Sequence, residues 1–94
     1  MRTIDRSSAF KRDFKRVKAT PRHSKDVDTL ILAAVSLLAT DQPLPESNCD
    51  HPLAGEWAGY RECHLKPDLL LVYRKLNDDI LKLARLGSHS ELFG

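Results

Sequence analysis

The strongest constraint on the fold is an unbroken apolar segment, Leu69-Leu70-Leu71-Val72-Tyr73. An apolar run of strand length without alternating polar residues indicates a central strand that is buried on both faces. Turn residues precede and follow it, at positions 66–68 and 76–79, and further strands are predicted at residues 60–65 and 80–86. The second half of the chain therefore predicts a meander of three strands.

The N-terminal part predicts a short strand followed by a basic helix. Residues 3–5 form the strand, and Ser7-Ser8 after them supply an N-cap. The helix has one apolar stripe, at i, i+4 and i+7, formed by Phe10, Phe14 and Val17. Thr20-Pro21 ends the helix, because the residue before a proline is pushed out of the α region.

A second helix is predicted after Ser24, which can cap it, with Asp26 and Asp28 at the positive end of its dipole. Its apolar residues have core-facing spacing: Val27, Leu30, Ile31, Ala34, Val35 and Leu38. Residues 41–59 predict a long irregular connection. The order β-α-α-β-β-β is typical of the α+β class, and a chain of 94 residues predicts a single domain over residues 1–94.

Composition excludes several classes of protein. With 41% apolar and 30% charged residues the chain is typical of a globular domain. The longest apolar stretch, residues 30–38, is about half of the ~20 residues that a membrane helix needs. The N-terminus lacks an apolar signal segment, so we expect a cytoplasmic protein without a membrane partner and with Cys49 and Cys63 as free thiols. Without a Gly-rich phosphate loop, a Cys-x-x-Cys pair or a Gly-x-Ser-x-Gly elbow, we predict no cofactor and no metal.

Positive charge is concentrated near the N-terminus. Residues 1–25 carry nine Lys and Arg against two acids, whereas residues 26–94 carry six against eleven. The candidate RNA-binding residues in this segment are Lys11, Arg12, Lys15, Arg16, Lys18 and Arg22. Such a surface suits a polyanion. A solvated helix face that keeps the protein in solution is an equally good interpretation of the charge alone.

Three histidines in the second half, His51, His64 and His89, are the strongest candidates for chemistry. Together with Asp68 and Arg85 they could cleave a phosphodiester. One group would remove the ribose 2′-OH proton, another would protonate the 5′-oxygen, and the guanidinium would hold the phosphate. Histidine suits both proton transfers near neutral pH.

The histidines also have structural interpretations. His51 could be a turn residue, and His64 could cover the end of a strand. The pairs Cys49-x-His51 and Cys63-His64 could bind a metal, but adjacent ligands strain a tetrahedral site.

Other candidate residues have alternatives as well. Strand alternation predicts Arg85 on the same face as apolar Leu83, so its charge needs an anionic partner, which could be a protein acid such as Asp68. Trp57 and Phe93 could stack on bases or fill the core.

Ordered motifs between residues 50 and 94 identify a family. The first is Asp50-His51-Pro52-Leu53-x-Gly55-x-Trp57-x-Gly59-Tyr60-Arg61-x-x-His64-x-x-Pro67-Asp68. It is followed by Leu71-Val72-Tyr73 and by Arg85-x-Gly87-x-His89-x-x-Leu92-Phe93-Gly94. This sequence resembles the YafQ branch of the RelE superfamily of bacterial toxins. Residues 1–49 agree mainly in architecture.

The resemblance implies the toxin half of a type II toxin-antitoxin pair. Such toxins are ribonucleases that cut messenger RNA in the ribosomal A site and are silenced by a cognate antitoxin in a hetero-oligomeric complex, which could bind operator DNA through the antitoxin. The implied RelE-like fold has two N-terminal helices packed on a twisted, mainly antiparallel sheet. The basic helix would dock on ribosomal RNA, whose phosphates favour Lys and Arg.

The resemblance also implies residue roles. It places His51 and His64, with Asp68 as carboxylate partner, in the acid–base cluster, and Arg85 on the scissile phosphate. The proton-transfer histidine and the base-contacting aromatic residue are His89 and Phe93. The alternative function is a non-catalytic RNA- or antitoxin-binding module with the same fold. The complete catalytic set favours the enzyme.

Overall fold

The structure, a computed structural model, describes residues 1–94 and contains a five-stranded sheet with helices on both faces. The strands are β1 (Thr3–Arg6), β2 (His51–Pro52), β3 (Arg61–Lys66), β4 (Leu69–Leu76) and β5 (Ile80–Gly87). The helices are α1 (Ser8–Lys18), α2 (Val27–Ala39) and α3 (His89–Phe93). The strand order is β1-β5-β4-β3-β2, with β1 parallel to β5 and all other neighbours antiparallel. The predicted α+β class and mainly antiparallel sheet are confirmed.

Strand β4 lies in the middle of the sheet and separates two apolar cores. Each of its first five residues is at most 1% exposed. Leu69, Leu71 and Tyr73 belong to the larger core, which α1 and α2 cover. Leu70 and Val72 belong to a smaller core, which α3 covers through Leu92 and Phe93. The prediction of a central strand buried on both faces is therefore confirmed.

Helix α1 begins as its sequence predicts. The Phe10 N–H donates to the Ser7 hydroxyl oxygen over 3.0 Å, which caps the first turn. Phe10 and Val17 are buried, while Phe14 is half-buried and stacks on Phe10. None of the helices combines the length and the apolar character needed to cross a membrane.

Helix α2 differs from its prediction at the start. The Ser24 hydroxyl donates to the Pro21 carbonyl instead of capping the helix, and Asp26 occupies the N-cap position without a side-chain bond. The reason is a turn before the helix, in which the Val27 N–H donates to the His23 carbonyl. The predicted Ser24 cap is wrong, although the core-facing stripe of α2 is confirmed.

Side chains of α1 close the outer edge of β5 where β1 stops. Strand β1 pairs with β5 only as far as Arg6, opposite Leu83. Beyond that point the Leu86 N–H donates to Asp13 Oδ2 over 3.0 Å, and the Leu86 carbonyl accepts from Arg16 Nη2 over 3.0 Å. Two side chains thus make the hydrogen bonds that a neighbouring strand would otherwise make.

The Asp13 carboxylate is buried at this edge, with its residue only 3% exposed. It accepts hydrogen bonds from Arg85 Nε at 2.7 Å, Arg85 Nη2 at 3.2 Å and Arg16 Nη1 at 2.9 Å. Burial alone would raise the pKa of Asp13. The hydrogen bonds from Arg85, the Leu86 N–H and Arg16 outweigh burial and lower it.

We expect Asp13→Asn to lower the free energy of unfolding at neutral pH by about 2–4 kcal/mol, because it leaves Arg85 without its counter-charge. The stability that ionised Asp13 contributes is fully present above its unfolded-state pKa, near 3.8. It is lost as the pH falls through the lower folded-state pKa. Wild-type stability should therefore fall more steeply than that of the variant below about pH 4, as measured by urea denaturation.

Asp5→Asn is the matched control, since Asp5 lies exposed on β1. Its effect should stay within about 0.5 kcal/mol. Equal stabilities of Asp13→Asn and wild type at neutral pH would contradict the structural role of this carboxylate.

Candidate active site

One cross-strand row brings His51 and Arg85 to the same face of the sheet. His51 lies opposite Glu62, Glu62 opposite Val72, and Val72 opposite Arg85. Directly opposite residues project from one face. Here it is the face of the smaller core, which α1 and α2 do not cover.

Arg85 does not lie on the face of the sheet that strict strand alternation predicts. The register between β4 and β5 shifts after Val72, so that Ala84 has no partner and Tyr73 lies opposite Leu83. This β-bulge moves Arg85 to the face opposite that of Leu83. The predicted shared face is therefore wrong, and the protein acid that pairs with Arg85 is Asp13 rather than Asp68.

Glu62 is the carboxylate between two of the histidines. Its side chain is 7% exposed, and Oε1 lies 3.0 Å from His51 Nε2 and 4.0 Å from His64 Nε2. His51 Nδ1 lies 2.7 Å from the Cys49 carbonyl oxygen. Both ring nitrogens of His51 thus face hydrogen-bond acceptors. Sequence reasoning missed Glu62, which its spacing of two residues from His64 on one strand could have revealed.

The loop before β2 is fastened from the opposite face. Asp50 accepts hydrogen bonds from the Tyr73 hydroxyl and from Arg61 Nε at 3.3 Å and Nη2 at 3.4 Å. Burial, together with the neighbouring Asp50, raises the pKa of Tyr73, so the phenol stays a proton donor. Asp50 immediately precedes His51, and its fixed position sets where β2 begins.

Helix α3 places His89 and Phe93 beside His51 and Glu62. A cleft of about 270 Å³ is lined by His51, Leu53, Ala54, Trp57, Glu62, His89 and Phe93. The helix starts with a capping box, in which the Glu91 N–H donates to the Ser88 hydroxyl oxygen and the Ser88 N–H donates to the Glu91 carboxylate. The side-chain hydrogen bonds of this turn use Ser88 and its neighbours and not the His89 imidazole. Both His89 nitrogens are therefore available to a substrate.

Helix α1 also holds α3 in place. Arg16 Nε lies 3.2 Å from Glu91 Oε2, while the same guanidinium binds Asp13 and Leu86. Hydrogen bonds from Ser88 lower the pKa of Glu91, and the charge of Arg16 adds to this effect. A Cβ at Gly87 would lie 2.7 Å from Arg16 Nη2, so a larger residue there would displace this guanidinium.

Asp68 lies outside this cleft. It occupies the β3–β4 turn, with Oδ2 3.2 Å from Arg22 Nη1 and 3.9 Å from His23 Nε2. Both salt-bridge partners precede α2, whereas the cleft histidines lie on β2, β3 and α3. The structure brings His51, His64 and His89 around Glu62 and the cleft, with Arg85 in the same row and Asp68 held by Arg22.

The six basic residues proposed for RNA binding divide into two groups. Arg16, Lys18 and Arg22 each pair with a carboxylate of the chain. The other three are exposed and form no salt bridge: Lys11, Arg12 and Lys15. The three unpaired side chains are the ones free to meet a polyanion.

The cysteines do not add to the site. Cys63 lies in the larger core with no exposed surface, and burial, together with Asp50 and Glu62, raises the pKa of its thiol to about 12. Cys49 is exposed. No group of three or more His, Cys, Asp or Glu side chains is arranged to hold a metal ion.

We expect the folded protein to show one thiol, Cys49, that reacts with an aromatic disulfide reagent at about pH 8. With a pKa near 12, Cys63 has a thiolate fraction of about one in ten thousand at that pH, and it is also shielded by the core. Cys49→Ser should remove the fast reaction, and denaturant should release the second thiol. Fast reaction of both thiols in the folded protein would contradict this assignment.

Comparisons with known proteins agree with this fold and with the motifs. Residues 2–94 match the family described as "Bacterial toxin of type II toxin-antitoxin system, YafQ". The mRNA interferase toxin YafQ of Escherichia coli strain K12 is 40% identical over 93 residues, covering 99% of this chain and 97% of that protein. The crystal structure of a metal-bound toxin from Helicobacter pylori superposes with a TM-score of 0.85 at 49% identity, covering 99% of this chain and 100% of that one.

A chain of the Escherichia coli DinJ-YafQ complex superposes with a TM-score of 0.80 at 40% identity, covering 100% of both chains. The family match spans nearly the whole sequence, including the N-terminal half, in which the motifs are weakest. The chain therefore belongs to the YafQ family of bacterial toxins of type II toxin-antitoxin systems.

Proposed function

We propose that the chain is a ribosome-dependent endoribonuclease that cleaves messenger RNA in the A site. The observation that carries the proposal is the cleft that His51, Glu62 and His89 line together. The Glu62 carboxylate in this cleft pairs with His51 and lies near His64. The Escherichia coli relative bears the name mRNA interferase toxin. A cleft with several imidazoles can supply both proton transfers of phosphodiester cleavage.

The proposed reaction is an internal transfer within the RNA. The 2′-oxygen attacks phosphorus and loses its proton to a base, the P–O5′ bond breaks, and an acid protonates the 5′-oxygen. The products are a 2′,3′-cyclic phosphate and a 5′-hydroxyl. We assign the base side to the group formed by His51, Glu62 and His64, and the acid side to His89, whose imidazole forms no hydrogen bond within the chain.

Arg85 is the proposed ligand of the scissile phosphate. Asp13 occupies its Nε and one Nη2 hydrogen, which fixes the plane of the guanidinium and leaves Nη1 without a partner in the chain. The hydrogen bond to Asp13 raises the pKa of Arg85, so the group stays charged. An oriented guanidinium suits the charge that develops on phosphate oxygens in the transition state.

RNA binding would release the Asp68 carboxylate from its salt bridge with Arg22. The Arg22 and Asp68 side chains are 70% and 44% exposed, and an exposed pair of this kind contributes at most about 1 kcal/mol. A phosphate that binds Arg22 would free Asp68 to orient a histidine. Phe93, whose ring lies 6.0 Å from that of Trp57, would hold a base against the cleft wall.

We also propose a cognate antitoxin and a cytoplasmic site of action, where ribosomes and messenger RNA are found. The Escherichia coli relative has been crystallised with DinJ. The counterpart of this chain would silence it in a similar hetero-oligomeric complex.

We expect Arg85→Lys to lower kcat by roughly 10- to 1,000-fold with little change in ribosome affinity. Lysine can still pair with Asp13 but lacks the planar fork that holds two phosphate oxygens. Single-turnover cleavage of A-site messenger RNA by ribosome-bound protein measures the effect. Near wild-type cleavage would show that charge alone suffices at this position.

His89→Gln should reduce cleavage by about 100- to 10,000-fold, the range typical of a lost proton transfer. The same single-turnover assay applies, with ribosome binding as the control for folding. Wild-type cleavage by both His89→Gln and Arg85→Lys would favour the alternative, a non-catalytic binding module.

The third prediction concerns the basic residues of α1 and the salt dependence of ribosome affinity. Replacing Lys11, Arg12 and Lys15 with Gln should flatten the dependence of ribosome affinity on salt by about two to three units of log–log slope, since each phosphate contact contributes about 0.7–0.9. Lys18→Gln is the matched control, because that ammonium group is on the same helix and is already paired with Asp28. An unchanged slope in the triple variant would assign these charges to solubility.

A further inference from the structure

A second cationic surface lies outside the cleft but on the same face of the sheet. Arg74 of β4 and Lys82 of β5 lie directly opposite each other, in the row of alternating positions that includes Val72 and Ala84. Like charges at directly opposite positions repel. Neither side chain forms a salt bridge, although Asp5 of β1 lies opposite Lys82 on its other side. Two neighbouring cations without a carboxylate partner are available to an anionic ligand.

Both cations lie over one aromatic ring, that of Tyr60. The Arg74 guanidinium carbon is 5.4 Å from the centre of the Tyr60 ring, and Lys82 Nζ is 6.0 Å from it. Gly59, which precedes the ring, has a φ of +92° that suits glycine, and the Arg74 guanidinium packs against it. The three side chains therefore form one half-buried surface of a ring with two positive charges, which we call the Tyr60 platform.

The Tyr60 platform is continuous with the cleft. The Tyr60 and Trp57 ring centres are 5.2 Å apart and the Trp57 and Phe93 centres 6.0 Å apart, both edge to face. Trp57 and Phe93 line the cleft. A line of three aromatic rings thus leads from the His89 side of the cleft to the paired cations.

We propose that Tyr60, Arg74 and Lys82 form a second nucleotide subsite, which binds the base and phosphate of a messenger RNA nucleotide next to the scissile one. The ligand class rests on the proposed ribonuclease function. Single-stranded RNA is recognised by stacking of its bases on aromatic rings and on Arg guanidinium planes, with cations nearby that bind the backbone. An acidic protein segment would use the cations but not a line of rings that ends in a catalytic cleft, so the geometry favours RNA.

The direct test is binding of a short single-stranded RNA with 2′-O-methyl riboses, which cannot undergo 2′-OH attack. Fluorescence anisotropy of the labelled RNA gives Kd for the purified protein. The Arg74→Gln/Lys82→Gln variant should bind at least about tenfold more weakly at low salt, with the salt slope reduced by roughly 1.4, about 0.7 for each lost phosphate contact. Tyr60→Leu should weaken binding by about 5- to 150-fold, the range for one lost base stack.

Lys75→Gln is the matched control. Lys75 follows Arg74 on β4, and it is paired with Asp41 at 2.8 Å on the other face of the sheet. Its substitution removes the same charge and should leave RNA affinity within about twofold, since no contact to the ligand is lost. Equal losses in Lys75→Gln and in the Arg74→Gln/Lys82→Gln variant would overturn the proposal, because bulk charge would then account for binding.

Cleavage kinetics separate this subsite from catalysis. In the Arg74→Gln/Lys82→Gln variant KM for ribosome-bound messenger RNA should rise while kcat stays near wild type, and affinity for ribosomes with an empty A site should not change. Lost affinity for empty ribosomes would assign the pair to ribosomal RNA, and lost affinity for the antitoxin alone would assign it to a protein partner. Either result would overturn the subsite.

The ribonuclease proposal and the subsite can fail separately. His89→Gln should bind the 2′-O-methyl RNA like wild type and should not cleave. Normal cleavage by His89→Gln would overturn the catalytic assignment and leave the binding measurements valid. Unchanged RNA affinity in both the Tyr60 and the double variant would overturn the subsite alone.

Discussion

The buried carboxylate of Asp13 is the interaction on which most of this structure depends. An ionised group with almost no exposed surface is tolerated only when partners replace its hydration, and here Arg85, Arg16 and the Leu86 N–H do so. These partners belong to α1 and to the end of β5. One carboxylate therefore joins the basic helix to the strand that leads into α3.

The Arg16 guanidinium binds both Asp13 and Glu91 of α3, so a continuous chain of charges runs from α1 to the helix that carries His89. On the other side of the cleft, Asp50 is held by Tyr73 and Arg61, which fixes the start of β2. The two short elements of the site, β2 and α3, are too small to be stable alone. Side-chain interactions with the larger elements determine their positions.

Much of the fold could be predicted because local physics determines it. Burial on both faces leaves Leu69–Tyr73 without polar residues, and the Ser7 cap needs only the next turn of chain. The bulge at Ala84 could not be predicted, because it depends on how two strands align. The role of Asp13 could not be predicted either, since its partner Arg85 is 72 residues away and the helix that carries Asp13 is otherwise basic. For the site, the motifs pointed to His51 and His89 in one cleft, but the central carboxylate, Glu62, became visible only through strand pairing.

The parallel pairing of β1 with β5 has a consequence for the time at which the fold can form. Strand β1 holds residues 3–6, and its only neighbour in the sheet is the last strand, residues 80–87. During synthesis from the N-terminus, β1 has no strand to pair with, and Asp13 has no Arg85 to bind, until residues 80–87 have been made. Contacts between the two ends of a chain also form slowly, because a long loop must close first. A nascent or truncated chain that lacks β5 therefore has neither the edge that α1 closes nor α3, and it cannot assemble the cleft until residues 80–93 have been made.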